Sequence, residues 1–301
     1  MDVKENENGR YSDLIGKARL FYALAEASIK TAVAKWDELK STLDLDRDEL
    51  GMSENFLELA RPLFQFLYYN YFRVDAKGVA NIPAKGPAII VANHSGTLPY
   101  DGTMTHLAVY NELKSKRLVR FLVDDFVFQI PCLRGFIERT GGVRASFANA
   151  EKLLRDGNLV VIFPEGVAGV GKTYDEKYRL LPFSRGGFVR LAVKVRAPII
   201  PLSIIGAEEI HPLIWKSKEL GRMLGVPFMP FTPTFPWLGP LGLVPLPSKW
   251  KLIFGKPVRY AKAKSSDARN DKFIAHEAEK MRLVIQKTLD RELKKRKSIW
   301  I

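Results

Sequence analysis

With a single cysteine, Cys132, among 301 residues, the chain has no means of building an internal disulfide framework, and a reducing compartment is expected. Its four histidines, His94, His106, His211 and His276, stand at no ligand spacing from one another or from Cys132, so no metal site is expected. No Gly-x-Ser-x-Gly elbow occurs, which argues against a serine nucleophile. Apolar runs long enough to span a membrane are missing too. Two stretches come near. Residues 56–72 are rich in Phe, Leu and Tyr but contain Glu58, Arg61 and Pro62. Residues 226–247 carry no charge, yet seven prolines forbid a regular helix there. The mixed-charge residues 1–10 do not read as a signal peptide. Peripheral attachment to the cytoplasmic face of a membrane is the resulting expectation.

Acidic residues are in deficit: 33 Asp and Glu against 47 Lys and Arg leave a net charge of +14. Such an excess attracts phospholipid headgroups, nucleic acid or a phosphorylated cofactor. No nucleic-acid motif or aromatic–basic interleaving accompanies it, so a nucleic-acid partner is not expected. Apolar and charged contents of 47% and 27% are those of a folded protein.

Residues 12–40 repeat apolar positions at steps of three and four after Ser12, the pattern of a long amphipathic helix. A second helix follows Ser53, with Pro62 kinking it or marking a restart. Together they predict an N-terminal helical hairpin over residues 1–72. Its Tyr68, Tyr69, Tyr71 and Phe72 form either an interfacial aromatic belt or a face packed on the following domain. From Arg73 short apolar runs at 88–92, 119–123, 159–163, 199–205 and 250–254 read as strands. Helical patterns at 101–113, 146–155, 184–195 and 266–297 alternate with them. That alternation predicts an α/β fold over residues 73–301, a central mixed sheet flanked by helices. The proline-rich apolar stretch, at about 211–248, reads as an insertion whose Phe228, Met229, Phe231, Phe235 and Trp237 are hard to bury entirely within a loop.

Two strand ends carry the chemistry. The run Ala88–Ala92 leads into Asn93-His94, with Asp101-Gly102 a loop later; the run at 159–163 leads into Pro164-Glu165-Gly166. A neutral imidazole can take a proton from a hydroxyl, and a carboxylate on its other nitrogen fixes the tautomer. Ser95 is a poor nucleophile beside His94, because adjacent side chains at a strand end point apart. Gly169-Val170-Gly171-Lys172 lacks the spacing of a nucleotide loop.

Asn93-His94…Asp101-Gly102, then Gly135-Phe136-Ile137-Glu138-Arg139, then Phe163-Pro164-Glu165-Gly166, then Ala197-Pro198-Ile199-Ile200-Pro201 resemble the four ordered blocks of the glycerolipid acyltransferase family. The blocks lie within about half of the chain. The resemblance implies transfer of a fatty acyl group from acyl-CoA or acyl-carrier protein, as co-substrate, to the hydroxyl of a lysophospholipid, lysophosphatidate or neutral glyceride. No permanently bound cofactor and no metal is implied. It makes His94 the general base, Asp101 its orienting partner, and Glu165, Gly166 and Arg139 acceptor-binding residues. Arg144, Lys172 and Arg185 are candidates for phosphate or CoA contacts, and a membrane phospholipid surface is the implied partner. Two departures stand out. Six residues separate His94 from Asp101, a longer gap than the family's usual one, in a block that varies among the diacylglycerol-acyltransferase-like members this chain resembles more closely. Val167-Ala168 replaces the Thr-Arg that phosphate-using members commonly carry. Both leave open an inactive, lipid-binding or membrane-remodelling scaffold.

Overall fold

A computed structural model describes residues 46–95, 98, 100–183 and 185–300; the helix predicted at 12–40 lies outside them. The described chain opens with helix α1 (Glu54–Phe66), capped by Ser53, whose hydroxyl accepts the Phe56 N–H at 3.0 Å. The helix runs through Pro62 and widens into a π-helical turn at Leu67–Tyr71. Strands and helices then alternate: β1 (Asp75–Lys77), β2 (Ala88–Ala92), α2 (Tyr100–Glu112), β3 (Val119–Val123), α3 (Pro131–Arg139), β4 (Gly142–Arg144), α4 (Phe147–Arg155) and β5 (Leu159–Ile162). Next come α5 (Gly166–Val170), α6 (Gly187–Val195), β6 (Ile199–Ile205), β7 (Trp215–Ser217), α7 (Lys218–Met223), β8 (Met229–Phe231), β9 (Lys251–Phe254) and α8 (Asp271–Lys295).

Seven strands form one mixed sheet in the order β1-β9-β6-β2-β5-β3-β4. Every pairing is parallel except that of β6 with β9. The central strands β2 and β6 are buried along their whole length, which is why they read as continuous apolar runs rather than alternating ones. Successive side chains serve opposite faces. Ile90, Ala92 and Val161 pack with Leu57 and Phe64 of α1 and Met104 and Leu107 of α2. Ile89, Val91 and Val160 pack with Leu153 and Leu154 of α4, Val189 of α6 and Ile285 of α8.

Helix α1 and its π turn therefore belong to the sheet's packing. Tyr68 and Phe72 are fully buried, and the Phe72 ring lies 4.9 Å from Trp250. This corrects the aromatic-belt alternative for those two residues: burial in the core leaves Tyr69, 54% exposed, as the member of the set that faces solvent most openly. The insertion forms an antiparallel pair, β7 with β8, around the short α7. No helix among the described residues is long and apolar enough to cross a membrane.

Candidate active site

The parallel neighbours β2, β5 and β3 end side by side, with Val91 opposite Ile162 and Phe121 opposite Val161. The residues just beyond them, His94, Glu165 and Asp124, therefore gather at the carboxyl edge of the sheet, where open α/β sheets bind ligands. Asn93 first clamps the end of β2 to β6. Its amide donates to the Ile204 carbonyl at 2.9 Å, and its side-chain oxygen accepts the Ile204 N–H at 2.8 Å.

His94 Nδ1 lies 2.6 Å from Asp101 Oδ2, so the six-residue gap is spanned. Asp101 sits in the first turn of α2, 1% exposed, and its carboxylate also accepts the Ser95 and Gly102 N–H groups at 3.2 and 2.8 Å. The bond to Asp101 places the proton of a neutral His94 on Nδ1 and leaves Nε2 as the basic nitrogen. The imidazole stacks on Phe163, ring centroids 4.4 Å apart and planes 23° apart. Burial of the ring opposes protonation, but Asp101, with lesser help from Glu165 and Asp124, outweighs it and holds His94 above the ordinary histidine value.

Glu165 serves the framework. One oxygen accepts the His94 N–H at 3.1 Å and the other the Leu181 N–H at 3.0 Å. Behind it, buried Lys172 lies 3.4 Å from Glu165 and 3.2 Å from Glu208, which in turn accepts the Tyr178 N–H at 3.0 Å. Burial pushes the Glu208 carboxyl up to about 7 despite its lysine partner. The Gly169-Val170-Gly171-Lys172 stretch thus supplies an internal counterion. Its first glycine is needed for close approach: a Cβ at Gly169 would meet Glu165 Cβ at 2.6 Å and His94 Cβ at 3.2 Å.

His94 opens into a cavity of about 370 Å³, within the range that holds small ligands. Phe121, Val123, Phe126, Ile130, Ile137 and Phe163 line it from the α/β domain, and Phe228, Met229, Pro230, Phe235 and Leu243 from the insertion. Gly166 and Val167 lie on its wall. The backbone N–H groups of Val167 and Ala168 donate to no carbonyl among the described residues.

The cavity gathers only part of the predicted site. His94, Asp101 and Gly166 line it; Glu165, Arg139, Arg144, Lys172 and Arg185 do not. Arg139 donates to the Gly135 carbonyl at 3.0 Å and lies 5.9 Å from the Phe56 ring. Arg144 lies 3.4 Å from Asp125, with its guanidinium over Phe128. Lys172 is buried between the carboxylates of Glu165 and Glu208. Arg185 is exposed in the turn before α6. Ser95 also stands outside the cavity wall. His106 is a packing residue, buried and pushed down to about 4 by burial. The sequence reading missed Asp124, Gly169 and Glu208. Asp124 carried the usable signal, since it follows an apolar strand just as His94 and Glu165 do; Glu208 follows β6 but becomes relevant only through Lys172.

The family model "Acyltransferase" matches residues 73–205. An uncharacterized protein of Mycobacterium tuberculosis is 43% identical over 276 residues, covering 91% of this chain and 77% of its own length. A "DGAT1/2-independent enzyme synthesizing storage lipids" of Gallus gallus is 28% identical over 186 residues, 62% of this chain and 52% of its own. Among solved structures, the 1-acyl-sn-glycerophosphate acyltransferase PlsC of Thermotoga maritima is 21% identical with a TM-score of 0.48, over 81% of this chain and 80% of that one.

Proposed function

The chain belongs to the glycerolipid acyltransferase family, and from that membership we propose that it moves a fatty acyl group from a thioester donor to the hydroxyl of a glycerolipid acceptor. The observation that carries the reading is the 2.6 Å contact of His94 with Asp101 at the wall of an apolar cavity. Nε2 takes the proton of the acceptor hydroxyl as its oxygen attacks the thioester carbonyl. Asp101 stabilises the imidazolium that forms, and Phe163 and the Glu165 bond to the His94 backbone keep the ring in place. The N–H of Val167, on the cavity wall and donating to no carbonyl among the described residues, is the donor we assign to the tetrahedral oxyanion. The carbon–sulfur bond then breaks, and the thiolate of CoA or of a carrier protein leaves and receives the proton from His94.

The apolar lining suits the acyl chain. The insertion supplies part of that lining and also exposes Met223, Trp237 and Leu241, 81%, 72% and 73% accessible. The insertion's short helix also carries Lys218 and Arg222, and the whole chain carries +14. This is the composition of a surface that settles on anionic lipid, so we place the protein peripherally on a membrane.

His94→Ala should lower acyl-CoA-dependent thiol release by about 10²–10⁴-fold while leaving the far-UV circular dichroism unchanged. Turnover close to that of the unsubstituted protein would remove His94 from the mechanism. The competing reading, a non-catalytic lipid-binding scaffold, predicts no thiol release from the unsubstituted protein with any acceptor.

A further inference from the structure

The general base accounts for His94 and Asp101 but leaves a third charged residue on the cavity wall without a task. Asp124 stands at the carboxyl end of β3, half-buried, where its charge acts on His94. Its neighbour Asp125 is exposed and faces Arg144 at 3.4 Å. Asp124 faces the cavity instead, and among the described residues its carboxylate accepts no hydrogen bond. Its Oδ2 borders Gly166, where an added Cβ would lie 3.8 Å away. A carboxylate left in largely apolar surroundings lacks the donors it had in water, and an incoming hydroxyl can supply one.

Charge settles which acceptor suits such a wall. No lysine or arginine lines the cavity among the described residues. A phosphate monoester would meet the Asp124 carboxylate with no lysine or arginine of the described residues on the wall to offset it, and like charges in a poorly solvated site repel. A neutral polyol ester meets no such barrier.

We propose that the acceptor is an uncharged glyceride with two free hydroxyls, of the monoacylglycerol class. One hydroxyl yields its proton to His94 and becomes the new ester; the other donates a hydrogen bond to Asp124. The ester carbon–oxygen bond forms as the thioester carbon–sulfur bond breaks, and Asp124 exchanges no proton. This rests on the acyl-transfer reading and assigns its acceptor.

The test measures thiol release by the full chain with one acyl-CoA in mixed micelles containing monoacylglycerol, diacylglycerol or lysophosphatidate. The kcat/KM for monoacylglycerol should exceed that for lysophosphatidate about tenfold or more. Asp124→Asn should raise the KM for monoacylglycerol about tenfold, the loss of a hydrogen bond to a charged group, with kcat changed by less than about threefold. Asp124→Lys should raise kcat/KM for lysophosphatidate, a change of preference that a merely structural residue would not produce. Equal or better use of lysophosphatidate by the unsubstituted protein overturns the proposal and leaves acyl transfer standing. An unchanged KM in Asp124→Asn removes Asp124 from acceptor binding. Absence of thiol release with every acceptor overturns the acyl-transfer reading and the acceptor assignment together. The ranking of acceptors by the unsubstituted protein stands as a test independent of how either variant folds.

Discussion

Asp101 controls both the tautomer of His94 and its affinity for a proton, so the two effects separate in a pH profile. With His94 held above the ordinary histidine value, kcat/KM should rise with pH as the imidazolium loses its proton, through a pKa above about 6.5. Asp101→Asn should lower the plateau by about 10²-fold and move that limb to lower pH. A limb that stays in place would show that the titrating group is not His94. The same shift bears on stability. The folded His94 binds its proton more tightly than the unfolded one, so its contribution is full below about pH 6.5 and is lost as pH rises through the folded value. Glu208 acts in the same direction. Its carboxyl is raised from 4.5 to about 7 by burial, so the folded state holds the extra proton and stability falls as pH rises through that window. Lys172→Met leaves Glu165 and Glu208 buried without their cation, and should cost about 3–5 kcal/mol in urea unfolding.

Single elements carry two further expectations. Helix α5 can pass behind His94 because Gly169 has no side chain. Gly169→Ala would force its Cβ against Glu165 and His94, and should lower both the unfolding midpoint and thiol release, an overpacking cost of about 1–3 kcal/mol. In the insertion, the residues that line the cavity differ from those that face solvent. Trp237→Ser with Leu241→Ser touches only the exposed set. It should reduce co-sedimentation with phosphatidylglycerol vesicles and leave thermal unfolding unchanged. Unaltered co-sedimentation would take this segment out of the membrane contact.

The molecule as a whole joins one sheet edge, an apolar cavity and a strongly basic surface. Vesicle binding should weaken as salt is raised from about 0.05 to 0.5 M, because screening shortens the reach of surface charge to well under about 10 Å. The fraction that resists salt reports the apolar contact of the insertion. Much of this architecture was legible beforehand. The strands at 88–92 and 199–205 are legible because strands buried on both faces are written as apolar runs. The three-residue strands β1, β4, β7 and β8 were missed, since so short a stretch has no measurable period. Helix α3 is less legible because it is only nine residues long and starts without a side-chain cap.

The sequence by itself determined the α/β class, the ordered family blocks and the identity of the strand-end histidine, because each is written in contiguous residues. Only the tertiary structure decided which charged groups meet. The distance between His94 and Asp101 depends on a loop closing across the end of β2. The withdrawal of Arg139, Arg144 and Lys172 from the cavity wall depends on partners such as Phe56, Asp125 and Glu208, supplied by other elements of the fold. Asp124 reaches the cavity because β2, β5 and β3 are parallel neighbours. A charge has a chemical role only relative to the groups around it, and for these residues those groups come from elements distant along the chain.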